Sequence, residues 1–428
     1  MSNLYTNAKN IKSELDAYVL GQDEGTKMVS MAIAQHIQAF EHYKKSPREK
    51  QNQTDNILIV GPTGSGKTET FRRLKSLQED FGVPVLMFNI LDYAPTKSWH
   101  GTSITSIFSK IFEESAIIYN TTYNSPIPVS LAKQKEYITD IANHAVVLLD
   151  EFDKIAIHGD DKSRAFLHDY QSNLLKIVEG NTYDVGSFSN GSDDDSEEET
   201  IDNVMLDSSH MMFVFLGAFD GIEAITRYRL LQEEIKKQHK NTPEHSCYQG
   251  THIGFLTKPQ SITEQKPEYT YQEMIPSQED LINYGIMREL CGRIAVRTVY
   301  KPLDEKALIK IMLHSKTSAY HQWQRRFRQN GHDLKCDHSA LYEIAHIAVE
   351  RGTGARGLMN VFSELLMPVQ FELSGNEHPI RCLLRGKEIV ANKPPLLHDR
   401  SELERKKKIL FEKQFLKTIK KVYKRKKN

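Results

Sequence analysis

Cysteine is scarce in this chain, with four in 428 residues, at Cys247, Cys291, Cys336 and Cys382. No two of them stand as Cys-x-x-Cys, which excludes a zinc ribbon and argues against a disulfide framework, so they read as buried or incidental thiols. The 17 histidines show no metal-ligand spacing. No apolar run is long enough to cross a bilayer. Net charge is lacking as well, because 56 Lys and Arg balance 56 Asp and Glu. Overall charge therefore points to no particular partner. The start, Met1-Ser2-Asn3-Leu4, has neither the basic and apolar regions of a secretory signal nor the arginines of a transit peptide, and the expected location is the cytoplasm. What remains is the composition of an ordinary globular protein, long enough for about two or three domains.

Against that background one stretch stands out: Gly61-Pro62-Thr63-Gly64-Ser65-Gly66-Lys67-Thr68, directly after the apolar run Ile57 to Val60. Two glycines with four free positions between them, then Lys and Thr, form a phosphate-binding loop pattern. Glycines let the backbone curl until several N–H groups face one point, and a following helix adds the positive end of its dipole. Lys67 is expected to reach the β- and γ-phosphates, and the Thr68 hydroxyl to bind Mg²⁺. The bland alternative is a glycine-rich turn with a surface lysine.

The rest of the chain supports the first reading. A helical pattern precedes the loop, with Met28, Val29, Ala32, Ile33, Ile37 and Phe40 on one face. Strands are expected over 83–90, 145–149, 211–216 and 294–299, with helices between, which is the rhythm of an α/β fold. The third apolar run ends in Asp150-Glu151. An acidic pair there suits the second half of an ATPase site, Asp150 holding the metal and Glu151 polarising the attacking water. Residues 186–202 read as a loop around the acidic run Asp193 to Glu199, and 223–280 as charged and irregular. After Pro302 the pattern turns to helices, with Asp304 placed to cap the first. Residues 402–423 carry Phe411, Phe415, Ile419 and Val422 on one side of a basic helix.

With both motifs placed, the chain resembles the ClpX family of AAA+ protein unfoldases from Ile11 to about residue 395. The matching residues are Leu15-Asp16-x-Tyr18-Val19-Leu20-Gly21-Gln22, the phosphate loop, Asp150 to Ile155, Leu174 to Gly180 and Gly217-Ala218-Phe219. Cys291-Gly292-Arg293 and Thr353-Gly354-Ala355-Arg356-Gly357 resemble the family's arginine-finger and sensor-2 motifs. The resemblance implies an AAA+ large domain with a mainly parallel sheet (1–300), a small mostly helical domain (301–398) and a basic tail (399–428). It implies that Val19 and Leu20 pack on the adenine of ATP, that Arg293 acts on a neighbour's nucleotide, and that Arg356 couples the small domain to the site. It also implies a ring, expected to be a hexamer, that threads protein substrates through its pore.

Two further segments carry the comparison outward. Ser98-Trp99-His100-Gly101 stands where the family has its pore loop, with Trp99 as the gripping aromatic beside His100. Ile253-Gly254-Phe255 matches the tripeptide that docks on the ClpP peptidase. On this resemblance the family's N-terminal zinc-binding domain is expected to be missing, and the acidic run is expected to stand in place of a basic pore-entrance loop. Alternatives stay open: a chaperone without peptidase, a partner of a different peptidase as in HslU, a nucleic-acid motor suggested by the basic tail, or a catalytically dead ring. The pore aromatic and docking tripeptide oppose the motor, and the complete Lys67, Asp150, Glu151, Arg293 and Arg356 set opposes the dead ring.

Overall fold

The computed structural model describes residues 4–47, 54–93, 104–122, 130–186, 188–189, 200–201, 204–240, 269–270, 273–376 and 378–399. They fall into two compact units. The first takes the described parts of Met1–Ala8, Lys27–Pro62 and Leu74–Val299; the second takes those of Lys9–Thr26, Thr63–Arg73 and Tyr300–Asn428.

In the first unit, strands β1 (Asn56–Val60), β2 (Val85–Asn89) and β3 (Val146–Asp150) are near-continuous apolar runs. Two short hairpins follow, β4 (Thr182–Asp184) with β7 (Met205–Asp207) and β5 (Phe188–Ser189) with β6 (Thr200–Ile201). Next come β8 (Met212–Gly217) and β9 (Ile294–Val299). β1, β2, β3, β8 and β9 form one parallel sheet in the order β2-β3-β8-β1-β9. β1 and β8 are buried along their whole length, as the middle strands of a sheet covered on both faces must be. Register puts Val60 beside Gly217 and Leu149 beside Phe215, so β1, β3 and β8 all end at one edge. Asn56 locks the opposite edge: its amide nitrogen donates to the Arg293 carbonyl at 3.0 Å and its oxygen accepts from Phe213 N–H at 2.9 Å.

The expectation of irregular chain from 223 needs correction, because Ile222–Lys240 is a helix. Its charges are used rather than merely solvated. Glu223 pairs with Arg227 at 2.8 Å and Arg229 with Glu233 at 2.9 Å, one turn apart. Arg229 also reaches the wholly buried Asp280 at 3.0 Å, which closes a capping box with Ser277 at the start of the helix Gln278–Tyr284.

A buried histidine group on the first unit gives a pH prediction. His36 Nε2 bonds the His144 carbonyl at 2.7 Å, His144 Nδ1 bonds the Asp140 carbonyl at 2.8 Å, and the His144 ring stacks on His210 and against Phe40. Burial lowers the pKa of His36 from 6.5 to about 4 and that of His144 from 6.5 to about 3. The unfolded chain therefore binds protons below pH 6.5 that the folded chain refuses. Stability is full above that pH and falls as pH drops toward 4, by about 1.4 kcal/mol per unit for each imidazole. Thermal melts from pH 7.5 to 4.5 should show this loss, and His36→Gln should make it shallower while the His144 share remains; an unchanged slope would remove His36 from the account.

The second unit is not purely helical, contrary to the periodicity after Pro302. β10 (Asp333–Cys336), β11 (Ile380–Leu384) and β12 (Leu396–Asp399) form a sheet, with β10 parallel and β12 antiparallel to β11. Helices Glu305–His314, Ala319–Gln329, His338–Glu350 and Gly354–Glu372 surround Trp323, Phe327, Ile344 and Phe362, all essentially buried. Asp304 caps the first, accepting from Ala307 N–H at 2.7 Å. Cys291, Cys336 and Cys382 are free thiols, and burial raises Cys291 and Cys382 to about 12, which leaves them protonated and unreactive.

Candidate nucleotide site

The phosphate loop is held in a conformation that only its glycines allow. Gly64 and Gly66 have φ of 79° and 108°, in the left-handed region where a side chain is strained. A Cβ on Gly64 would meet the Thr353 carbonyl at 2.4 Å, and one on Gly66 would meet Val19 Cγ1 at 3.1 Å. Gly61 N–H donates to the Gly217 carbonyl at 3.1 Å, which keeps the loop's first residue in the β1–β8 ladder. Pro62 and Thr63 follow, and Thr63 is exposed. Ser65 is buried and its hydroxyl has no hydrogen-bond partner among the described residues. Lys67 and Thr68 open the helix Lys67–Lys75.

Contacts within the second unit bring several expected residues to this loop. Ala355 N–H donates to the Gly64 carbonyl at 3.1 Å. Arg356 Nη2 donates to the Thr68 hydroxyl at 3.2 Å. Val19 is buried against Gly66, and Leu20 is half-buried next to it in sequence.

On the first unit, Asp150 ends β3 and its Oδ1 accepts from the N–H of Glu151 at 2.9 Å. Glu151 has φ 59° and Phe219, beyond the end of β8, has φ 52°. Left-handed backbone at residues with side chains costs about 1–3 kcal/mol each and tends to mark functional turns. Here both lie past the same edge of the sheet. Phe219 is buried among Phe152 and Tyr284. The buried Asp153 accepts from Ala218 N–H at 3.2 Å, tying the turn after β8 to the turn after β3.

Arg293 stands elsewhere. It precedes β9 at the edge opposite to where the chain leaves β1 at Gly61, since Asn56 is paired with Ile294 and Val60 with Val299. A strand of that length spans roughly 17 Å at about 3.3 Å per residue. Its guanidinium bonds Glu179 at 2.7 Å, with both side chains more than a third exposed.

Trp99 and His100, Ile253-Gly254-Phe255, the acidic run Asp193 to Glu199 and the basic tail beyond Asp399 lie outside the described residues. The sequence patterns also passed over residues that the structure makes prominent. Gln22 donates to the Ser65 carbonyl at 3.0 Å and exchanges two hydrogen bonds with Lys301. Asp153, Asn56 and the Thr70–Tyr300 hydroxyl pair at 2.9 Å are of the same kind. Gln22 and Asp153 lie inside quoted motifs, and nothing local reveals what either bonds.

A sequence model of the AAA domain (Cdc48 subfamily) matches residues 52–297. Among curated relatives, the ATP-dependent Clp protease ATP-binding subunit ClpX of Borrelia duttonii is 30% identical over 389 residues, 90% of this chain and 78% of that protein. ClpX of Treponema denticola is 27% identical over 396 residues, covering 90% and 80%. ClpX of Bacteroides thetaiotaomicron is 28% identical over 368 residues, covering 85% and 76%. With the parallel sheet, the glycine-shaped loop and the acidic end of β3 already on the chain, these matches make it a member of the AAA ATPases and, among them, of the ClpX family.

Proposed function

We propose that this ATPase is a ring-forming protein unfoldase that threads substrates toward a ClpP-type peptidase. The observation that carries the nucleotide half of this reading is the loop itself. Gly64 and Gly66 are left-handed, Ser65 Oγ is buried with no partner among the described residues, and the Thr68 hydroxyl lies under Arg356. Gly61 to Thr68 bind the phosphates, Lys67 supplies the charge, and Val19 and Leu20 receive the adenine. The Thr68 hydroxyl and the Asp150 carboxylate are hard oxygen donors of the kind Mg²⁺ takes, and that ion when bound neutralises charge developing on the phosphoryl oxygens. Glu151 orients and polarises the attacking water. Arg356 reports the state of the phosphates to the helices that follow it. Arg293 serves a neighbouring subunit, because its own loop begins a strand's length away.

For the chain beyond the nucleotide, the support is the family membership together with Trp99, His100 and the Ile253-Gly254-Phe255 tripeptide in the sequence. A tagged fluorescent protein should lose its signal with ATP, and should be degraded only when ClpP is added. Phe255→Ala should keep ATP turnover and unfolding within about twofold while degradation drops at least about tenfold, as for loss of an apolar anchor worth more than ~1.4 kcal/mol. If the wild-type protein unfolds the reporter and ClpP adds nothing, the free-standing chaperone reading replaces this one. No helix among the described residues is long and apolar enough to cross a membrane.

A further inference from the structure

Phosphate loops bind through backbone N–H groups, so what fixes those groups matters as much as the loop's own sequence. A trans peptide unit is flat, with its C=O and N–H pointing in opposite directions, and this chain has no cis peptide bond among the described residues. Holding the carbonyl of one residue therefore aims the N–H of the next the other way. Three consecutive loop carbonyls are held in this fashion, the first two by groups distant along the chain and the third by the first turn of the helix Lys67–Lys75. Gly64 O accepts from Ala355 N–H at 3.1 Å. Ser65 O accepts from Gln22 Nε2 at 3.0 Å. Gly66 O accepts from Thr70, from its N–H at 2.9 Å and its hydroxyl at 3.0 Å. The N–H groups of Ser65, Gly66 and Lys67 thereby point away from Ala355, Gln22 and Thr70 respectively. Successive N–H groups held in fixed directions are what an anion-binding concavity is built from.

Gln22 is the most exacting of the three. It is 3% exposed, its Nε2 also donates to Lys301 O at 2.8 Å, and its Oε1 accepts from Lys301 N–H at 2.8 Å. The two bonds with Lys301 fix which end of the amide is nitrogen, so the second N–H can go only to Ser65. The neighbouring Tyr300 hydroxyl bonds Thr70 at 2.9 Å, so residues 300–301 brace both side chains, Gln22 and Thr70, that hold the Ser65 and Gly66 carbonyls. We infer that Gln22 is a positioning residue for nucleotide binding: it pre-aims the Gly66 N–H at the phosphates and ties the loop's peptide planes to the backbone at Lys301. This rests on the nucleotide reading above and adds to it a residue that touches no nucleotide. Because an aimed N–H serves bound substrate and transition state alike, its loss should appear in KM rather than in kcat.

The test compares the wild-type protein with Gln22→Met, which keeps the side chain's length and apolar stem and removes all three hydrogen bonds, and with Gln22→Glu, which can still accept from Lys301 but cannot donate to Ser65. ATP turnover gives KM and kcat, a fluorescent ATP analogue gives the dissociation constant, and thermal melting without nucleotide monitors the fold. Both variants are expected to raise KM and the dissociation constant by about tenfold or more with kcat within about twofold, and to melt below wild type, because buried polar groups at Ser65 and Lys301 are left unmet. A variant that binds ATP as tightly as the wild type overturns the inference while leaving the nucleotide reading intact. Equal loss of KM, kcat and melting temperature in both variants also overturns it, making Gln22 a packing residue. A wild-type protein that binds no ATP removes the reading beneath it instead.

Discussion

Glu151→Gln protein is expected to turn over ATP about 10²–10⁴-fold more slowly than wild type while binding it nearly as well, because only the group that takes or directs a proton is lost. Asp150 keeps its place, and the backbone of residue 151 need not move, since its N–H bond to Asp150 Oδ1 involves no side-chain atom of Glu151. Lys67→Ala should behave differently, losing binding itself. Steady-state hydrolysis and binding of a fluorescent ATP analogue separate the two. Turnover within tenfold of wild type in Glu151→Gln would take the water-activating role away from this residue. The same variant, charged with ATP and unable to discharge it, should retain substrates in a pull-down that the wild-type protein releases.

The second large effect concerns Arg293. Its replacement by Ala is expected to reduce turnover by about 10³–10⁵-fold, the usual value of an arginine that meets the transferring phosphoryl group. The variant chain alone should fold and bind ATP, since the ion pair it loses, to Glu179, is more than a third exposed on both sides and contributes at most about 1 kcal/mol. The direction of action can be tested by mixing. Lys67→Ala subunits cannot bind nucleotide but still offer Arg293; Arg293→Ala subunits bind nucleotide but offer no arginine. Mixed assemblies should regain turnover that neither has alone. Normal turnover in Arg293→Ala would remove the arginine from the mechanism, and absence of rescue would argue against action between subunits.

The parts of the molecule that can be read from the sequence are those written locally. The five strands of the large sheet fall within one or two residues of expectation, the inner ones because a strand buried on both faces is written as a continuous apolar run, and β9 despite Arg297 and the partial exposure of an edge strand. The loop and the Asp150-Glu151 pair are legible for the same reason: their chemistry depends on spacing along the chain. The sheet of β10, β11 and β12 is not legible in this way. Its strands are four and five residues long, and the alternation of Asp333–Cys336 is too short to stand out from the helical patterns on either side. The helix over Ile222–Lys240 is hidden by its charge, since the apolar face is narrow and part of its support comes from Asp280, far along the chain. Gln22 is the extreme case. Its three hydrogen bonds run to Ser65 and Lys301, 43 and 279 residues away, and no pattern along the sequence could announce them.

The left-handed backbone at Glu151 has an evolutionary consequence. Glycine would sit at φ 59° without steric strain, and Asn with little, so the substitutions that relieve the backbone at this position are ones that delete the expected catalytic carboxylate. Selection for durability and selection for turnover therefore pull residue 151 in opposite directions. A lineage released from the need to hydrolyse ATP should drift first at this position, and its proteins should melt higher than their active cousins.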